Sequence, residues 1–307
     1  MRSIKFSFLF LIVAAFTYPA KEITLEYKFK KGDAYEWIQA TTQKIKQTLP
    51  GIGEMTIDMK VDGAMSLKVL EVTATGAKVE MAFPKIKMVT KSMMADIVLD
   101  SEGPQDNTPN KVAKAMTINS FTAYLTKFGT VEKLEGTENL YGGLSGLGLD
   151  EATLAAFKEG MKQFLSESAI KSNIEMAMLQ YPASKVKVGD TWKSSVGSIM
   201  NLPASVDNTW KLSGLEGSVA SIEGEGIITT TDKEKVVTLN GLKAKADLAG
   251  RQVTKCTLDV KTGWPSGLKL LSEVKGKMTF LAGGPIPQDM DVPMEITTES
   301  TFTIVKK

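Results

Sequence analysis

The sequence predicts a mainly β fold of the α+β kind: two related antiparallel β-sheet halves joined by a central helical segment. Three observations carry this expectation. Apolar residues alternate with polar ones over most of the chain, one stretch near the middle has helical spacing, and a Gly-Asp turn occurs twice. The first turn, "KKGDAYEW" at 30–37, leads straight into an aromatic strand, and the second, "KVGDTWK" at 187–193, does the same.

The elements follow in order. Arg2 and Lys5 flank an apolar run at 6–16 that is too short for a stable membrane anchor, which is the pattern of an export signal. Cleavage after Ala20 leaves "KEITLEYKF" as the new start, and cleavage after Ala15 fits the small-residue rule better. Met55, Ile57, Met59 and Val61 alternate with polar residues, as do Met65, Leu67 and Val69. After the "TATG" turn at 73–76, Val79, Met81 and Phe83 resume the same period. "ADIVLDSE" is a further strand running into an acidic loop at 101–110, and 121–136 reads as strand, turn at Lys127-Phe128-Gly129, strand.

The glycine-rich "YGGLSGLG" at 141–148 reads as a linker. From Asp150, a candidate cap, Leu154, Phe157, Met161 and Leu165 recur at helical spacing, and Ile170, Ile174 and Met178 continue the stripe before Pro182. Strand grammar then returns. "VDNTWKLSGLEGSVASIEGE" (206–225) stands where "VDGAMSLKVLEVTATGAKVE" (61–80) stood, and "CTLDVKTGWPSGLKLLSE" (256–273) matches 121–136. The strictly alternating strand at 294–304 is expected to close the second sheet. The resulting division is a signal peptide at 1–20, an N-terminal β half at 21–140, linker and helices at 141–182, and a C-terminal β half at 183–307.

Composition excludes several functions. The chain has 37 Lys+Arg and 35 Asp+Glu, and loss of Arg2 and Lys5 with the signal balances them. No overall field draws the protein to nucleic acid. Beyond residue 2 the sole arginine is Arg251, so the bidentate phosphate grip of arginine is scarce. There is no histidine, which removes the usual general base and the commonest metal ligand together. The single cysteine, Cys256, alternates with Leu258 and Val260 and reads as a buried, inert thiol. Asp100, Glu102, Asp106 and Asn107 supply oxygen donors in one loop, but their spacing suits a solvated loop better than a calcium site. No catalytic residue, no metal site and no cofactor is expected.

Methionine is the unusual residue, 16 in all, many on apolar strand faces. Such faces adapt to varied apolar ligands, although methionine also fills gaps in ordinary cores. Met65 and Met81 are the candidate ligand-binding residues. The Gly-Asp turns, "TTDKEKVVTLNGLKAKADLAG" (230–250), "DVKTGWP" (259–265) and "GKMTFLAGGPIPQDMDVPMEITTESTFTI" (276–304) together resemble a family of exported bacterial proteins of unknown function. The resemblance runs from about residue 22 to the end. It implies a periplasmic or secreted protein of the bacterial envelope and assigns no mechanism.

Two functions are therefore weighed: non-catalytic binding of a lipid or other apolar ligand, and a structural module that meets another envelope protein. Neither needs a transmembrane span once the signal is removed. The export reading predicts a mature chain starting at Phe16 or Lys21, and N-terminal sequencing of the purified protein checks it. Full-length chain with Met1 intact in the cytosol is the contrary result.

Overall fold

A computed structural model of the chain describes residues 21–93, 96–197, 202–239 and 241–307. The expected export signal at 1–20 lies outside the described residues. The first half contributes β1 (Ala34–Leu49), β2 (Gly53–Val72), β3 (Gly76–Ser92), β4 (Asp96–Asp100), β5 (Ser120–Thr126) and β6 (Val131–Glu135). Helix α1 (Thr108–Met116) precedes β5. A 3-10 helix (Thr137–Leu147) and helices α2 (Glu151–Leu165) and α3 (Glu167–Ala177) follow β6. The second half holds β7 (Thr191–Gly197), β8 (Ala204–Glu216), β9 (Val219–Thr230), β10 (Val237–Leu239), β11 (Leu242–Asp259), β12 (Trp264–Phe280) and β13 (Met290–Lys306).

Among the described residues these strands form one 13-stranded antiparallel sheet, with the order β6-β5-β3-β2-β1-β13-β12-β11-β9-β8-β7. β4 is added beside β3 and β10 beside β11. The mainly β fold is as expected, but the final strand does not close a separate second sheet. β13 pairs with β12 along one edge and with β1 along the other, from Tyr35 opposite Lys306 to Gln47 opposite Met294. The reason is length. A 17-residue strand with free N–H and C=O groups on both edges must pair on both sides or leave one ladder to water.

The five strands after the first Gly-Asp turn run β1-β2-β3-β5-β6, and those after the second run β7-β8-β9-β11-β12, in the same spatial order. The turns share their hydrogen bonds as well. Gly32 N–H donates to Val69 O and receives the answering bond Val69 N–H to Asp33 O, at 2.9 and 2.8 Å. Gly189 and Asp190 make the same pair with Leu212, at 2.8 and 3.1 Å. A β-bulge follows each partner, after Val69 and after Leu212.

The sheet rolls around the helical segment. Its two edge strands meet α3 from opposite sides. Val131 N–H of β6 donates to the Glu175 carboxylate at 2.9 Å, and the Ser172 hydroxyl donates to Gly197 O of β7 at 2.5 Å. Ser166 breaks the helical stripe between α2 and α3 by capping the second, its hydroxyl accepting from Ala169 N–H, and Asp150 caps the first through Thr153 N–H. Two segments depart from the sequence reading. The glycine-rich stretch expected to be a linker lies largely in the 3-10 helix, whose Leu140 and Leu144 are buried in the core. The acidic loop gives way to α1, capped by Asn107 with a proline in its first turn and burying Val112 and Met116.

The core occupies the upper end of the inner face, where Leu67, Val79, Phe121 and Leu258 meet Leu140, Ile174 and Leu179. Tyr27, Tyr181, Tyr35 and Trp264 form an aromatic cluster there, with ring centroids 4.1 Å apart for Tyr35 and Trp264 and 4.9 Å for Tyr27 and Tyr181. The extended segment before the first turn passes both repeated hairpin turns: Tyr27 N–H donates to Lys127 O and Lys28 N–H to Thr262 O, at 2.8 and 2.9 Å. This passage explains Gly263. With φ of 74° it is left-handed, and a Cβ there would overlap the Glu26 carbonyl oxygen.

Gly189, with φ of 99°, has open space around it. Gly189→Ala should cost about 1–2 kcal/mol from conformation alone. Gly263→Ala should cost about 1–3 kcal/mol more, because rigid backbone blocks relaxation. Urea unfolding of both variants measures the difference.

Candidate functional site

The long strands reach well beyond the part of the sheet that the helices cover. The helices pack on β3 to β7, and among the described residues no helix packs comparably on the lower halves of β1, β2, β12 and β13. Because antiparallel partners share a face, the inward residues fall into rows. Met55, Gln47 and Met294 form one row, and Ile57, Ile45, Ile296 and Val274 form the next. Ile57, Ile45, Ile296, Val274 and Met294 are each half-buried, screened by the curvature of the sheet and still open to solvent. Beside them the second half holds a tighter cluster of Ala244, Ala246, Leu248 and Met278. The result is an apolar trough.

A polar belt separates the trough from the upper core. Met59 leads a row that continues through Gln43, Thr298, Ser272, Gln252 and Gly226 to Asn208 on β8. Thr41, Ser300 and Thr254 stand in the row above. The belt is partly self-satisfied, with Thr41 and Ser300 hydroxyls 2.8 Å apart and Gln43 Nε2 donating to Thr298 Oγ1 at 3.1 Å. Asn208 is not: it is 5% exposed, and its Oδ1 has no hydrogen-bond partner.

The two faces differ in charge. Inward positions are uncharged on β1 from Tyr35 to Leu49, on β11 from Ala244 to Leu258, on β12 from Leu268 to Phe280 and on β13 from Met290 to Ile304. The outward face carries opposite charges directly across from one another: Lys44 with Asp58, Arg251 with Glu273 and Lys275 with Glu295. Exposed pairs of this kind add little stability, but they mark a water-facing surface. Transmembrane barrels put an apolar band there. No helix among the described residues is long and apolar enough to cross a membrane.

Both residues singled out by sequence lie on the inner face. Met65 is opposite Trp37, half-buried above the belt and packed against the upper core, and Met81 is opposite Leu67 and Phe121, wholly buried in that core. The belt had no sequence signal beyond an alternation in which Gln, Thr and Ser replace apolar residues. Of the suspected calcium donors, Asp100 pairs with Lys87 at 2.9 Å, Glu102 pairs with Lys85 and Asn107 caps α1. The Lys87 ammonium holds the Asp100 carboxyl below its usual range. No group of three or more metal-binding side chains occurs among the described residues. A polar cavity of about 410 Å³ lies where α3 bridges the sheet edges, lined by Thr130, Lys171, Ser172, Glu175, Gln180 and Ser195. Burial raises the Glu175 carboxyl there, opposed by its bond from Val131 N–H.

Fold and face together define a rolled antiparallel sheet with paired charges on its outer face and uncharged inward positions along the stated stretches of β1, β11, β12 and β13. The chain belongs to a family of unknown function, DUF6263, whose model matches residues 74–265. No curated protein matches the sequence. Among solved structures, lipovitellin, studied for its lipid–protein interactions, is similar at 8% identity and a TM-score of 0.47, over 91% of this chain and 26% of its own length. The chain thus spans about a quarter of lipovitellin. The outer membrane protein OprG of Pseudomonas aeruginosa is similar at 9% identity and a TM-score of 0.24, over 90% of this chain and 97% of its own. DynF of the Micromonospora chersina dynemicin pathway is similar at 9% and 0.22, over 92% and 85%. TM-scores below 0.5 carry no function across.

The buried acidic groups set the alkaline limit. Burial pushes the Cys256 thiol from its ordinary 9.0 up to about 12, and raises the Tyr27 and Tyr181 phenols above their usual range. These groups ionise first in the unfolded chain. Their contribution is therefore complete below pH 9.0 and is lost as pH climbs toward about 12. The melting temperature should stay level from neutral pH to about 9 and fall beyond it, and Cys256 should react with thiol reagents only on unfolding.

Proposed function

We propose that the protein is an exported carrier of the bacterial envelope that holds a lipid or another apolar ligand in the trough of the rolled sheet. One observation carries this reading. The inner rows of Ile45, Ile57, Ile296 and Val274 are apolar and half-buried, and among the described residues no helix packs on them as the helices pack on the upper face. Apolar surface left open on one side of a charged sheet is a standing cost in water, and an acyl chain laid along it removes that cost. The methionines at 55, 59 and 294 suit a ligand of variable shape. In this reading Met65 and Met81 lie on the core side of the belt, above the ligand.

The alternative, an interaction module that pairs through edge strands, has less support. Val131 N–H and Gly197 O, on the two edge strands, are already taken by side chains of α3.

Native mass spectrometry of protein purified from its own envelope tests the carrier reading by looking for retained lipid. Ile296→Asp places a charge in the trough and should weaken binding of a fluorescent acyl probe by about tenfold or more. Thr301→Asp, on the exposed outward face beside Lys269, should leave binding unchanged. Circular dichroism keeps loss of fold apart from loss of ligand. Equal binding by both variants counts against the trough.

A further inference from the structure

The belt restricts what the trough can accept. We infer that the ligand is a neutral acyl lipid whose head group bears a hydroxyl, with the chain along Ile45, Ile57 and Ile296 and the head on the belt, donating a hydrogen bond to Asn208 Oδ1. The inference rests on the carrier reading above and narrows it to a chemical class.

Charge decides the first part. A carboxylate or phosphate drawn onto the trough or the belt would meet no cation, because the inward positions of β1, β11, β12 and of β13 from Met290 to Ile304 carry none, and Lys306, opposite Tyr35 at the upper end, is paired with Asp33. The other lysines of these strands point outward, where Lys44 and Lys275 are already paired. An unpaired charge on such a face is penalised heavily, whereas hydroxyls and esters meet donors and acceptors of their own kind in Thr41, Gln43, Thr298 and Ser300.

Asn208 decides the second part. Buried polar atoms are paired almost without exception, and an orphaned one calls for a partner. Gly226 stands directly across from Asn208, and the amide lies over it: a Cβ there would come within 2.6 Å of Oδ1 and 3.4 Å of Gln252 Cβ. Any larger residue at 226 would force the amide aside. The ladder leads from this point through Gln252, Ser272 and Thr298 to Gln43 and the apolar rows below. The orphan is an acceptor, so it selects a donor. A hydroxyl supplies one; an ester or an alkane does not.

Three probes of equal chain length separate the possibilities: monopalmitoylglycerol, methyl palmitate and palmitate, measured by titration of the full chain at neutral pH. The expected order of affinity is the glycerol ester, then the methyl ester, then the carboxylate, with each step about tenfold, the size of one satisfied or one stranded polar group. Asn208→Leu removes an unsatisfied atom, so it should be at least as stable as the wild type by thermal melting. It should bring monopalmitoylglycerol down to the level of methyl palmitate and leave the other two unchanged. Gln43→Lys should raise palmitate affinity about tenfold, a gain that mere structural damage does not produce.

Palmitate binding as tightly as the methyl ester in the wild type overturns the inference. So does a glycerol preference that survives Asn208→Leu, which would mean that a trapped water serves the amide, and so does a Gln43→Lys variant with no gain for palmitate. If none of the three probes binds, the carrier reading falls and this inference falls with it. If all bind but in another order, the carrier reading stands and the head-group assignment alone is wrong.

Discussion

The ladder between β13 and β1 is the constraint on which the rest of the structure depends. Without it the chain would be two meanders, each with a long apolar face and an open edge. β13 fills both gaps at once, taking β12 on one side and β1 on the other over nearly its whole length. Every inward row that crosses the molecule passes through it, including the row from Met59 to Asn208. The pairing also fixes register. A slip of one residue would turn Ile296, Thr298 and Ser300 outward and bring Glu295, Thr297 and Glu299 inward, burying carboxylates with no partner.

A sheet this wide twists, and a twisted sheet with one apolar face curls until that face is covered. Here α3 limits the curl. Its Glu175 and Ser172 reach the two edge strands on opposite sides, so the sheet closes on a helix rather than on itself. The helical segment is sized for the upper end only. It fills that end with Leu140, Ile174 and Leu179, and among the described residues it does not reach the lower halves of the longest strands. The trough follows from that mismatch between strand length and helix coverage.

The repeated Gly-Asp turn belongs to the same economy of construction. Each turn ties its strand to the bulged partner through Val69 or Leu212, and each half then runs through the same strand order. The halves diverge where they serve different ends. Gly263 and Gly129 both mark hairpin turns, but they receive different neighbours, Glu26 at the first and Leu179 at the second. One extended segment, 23–28, contacts both turns and couples the halves at the upper end as β13 couples them along their length.

Much of this architecture was written in the sequence by itself. The period of two placed β2, β3, β11, β12 and β13, and the helical stripe placed α2 and α3. The absence of histidine and the single Cys256 removed whole classes of chemistry, because these signals depend only on residue type and local spacing. Only the tertiary structure decided the rest. Whether 294–304 ends a second sheet or joins two halves depends on which edge is free, which is not a local property. Leu144 looked like a linker residue until a core stood beside it. Met65 and Met81 carry the same pattern, yet one is half-buried against the core and the other is sealed within it, since burial is set by what packs opposite. The belt is the clearest case. Gln43, Thr298, Ser272, Gln252 and Asn208 are scattered over more than half the chain, and strand pairing alone makes them a row.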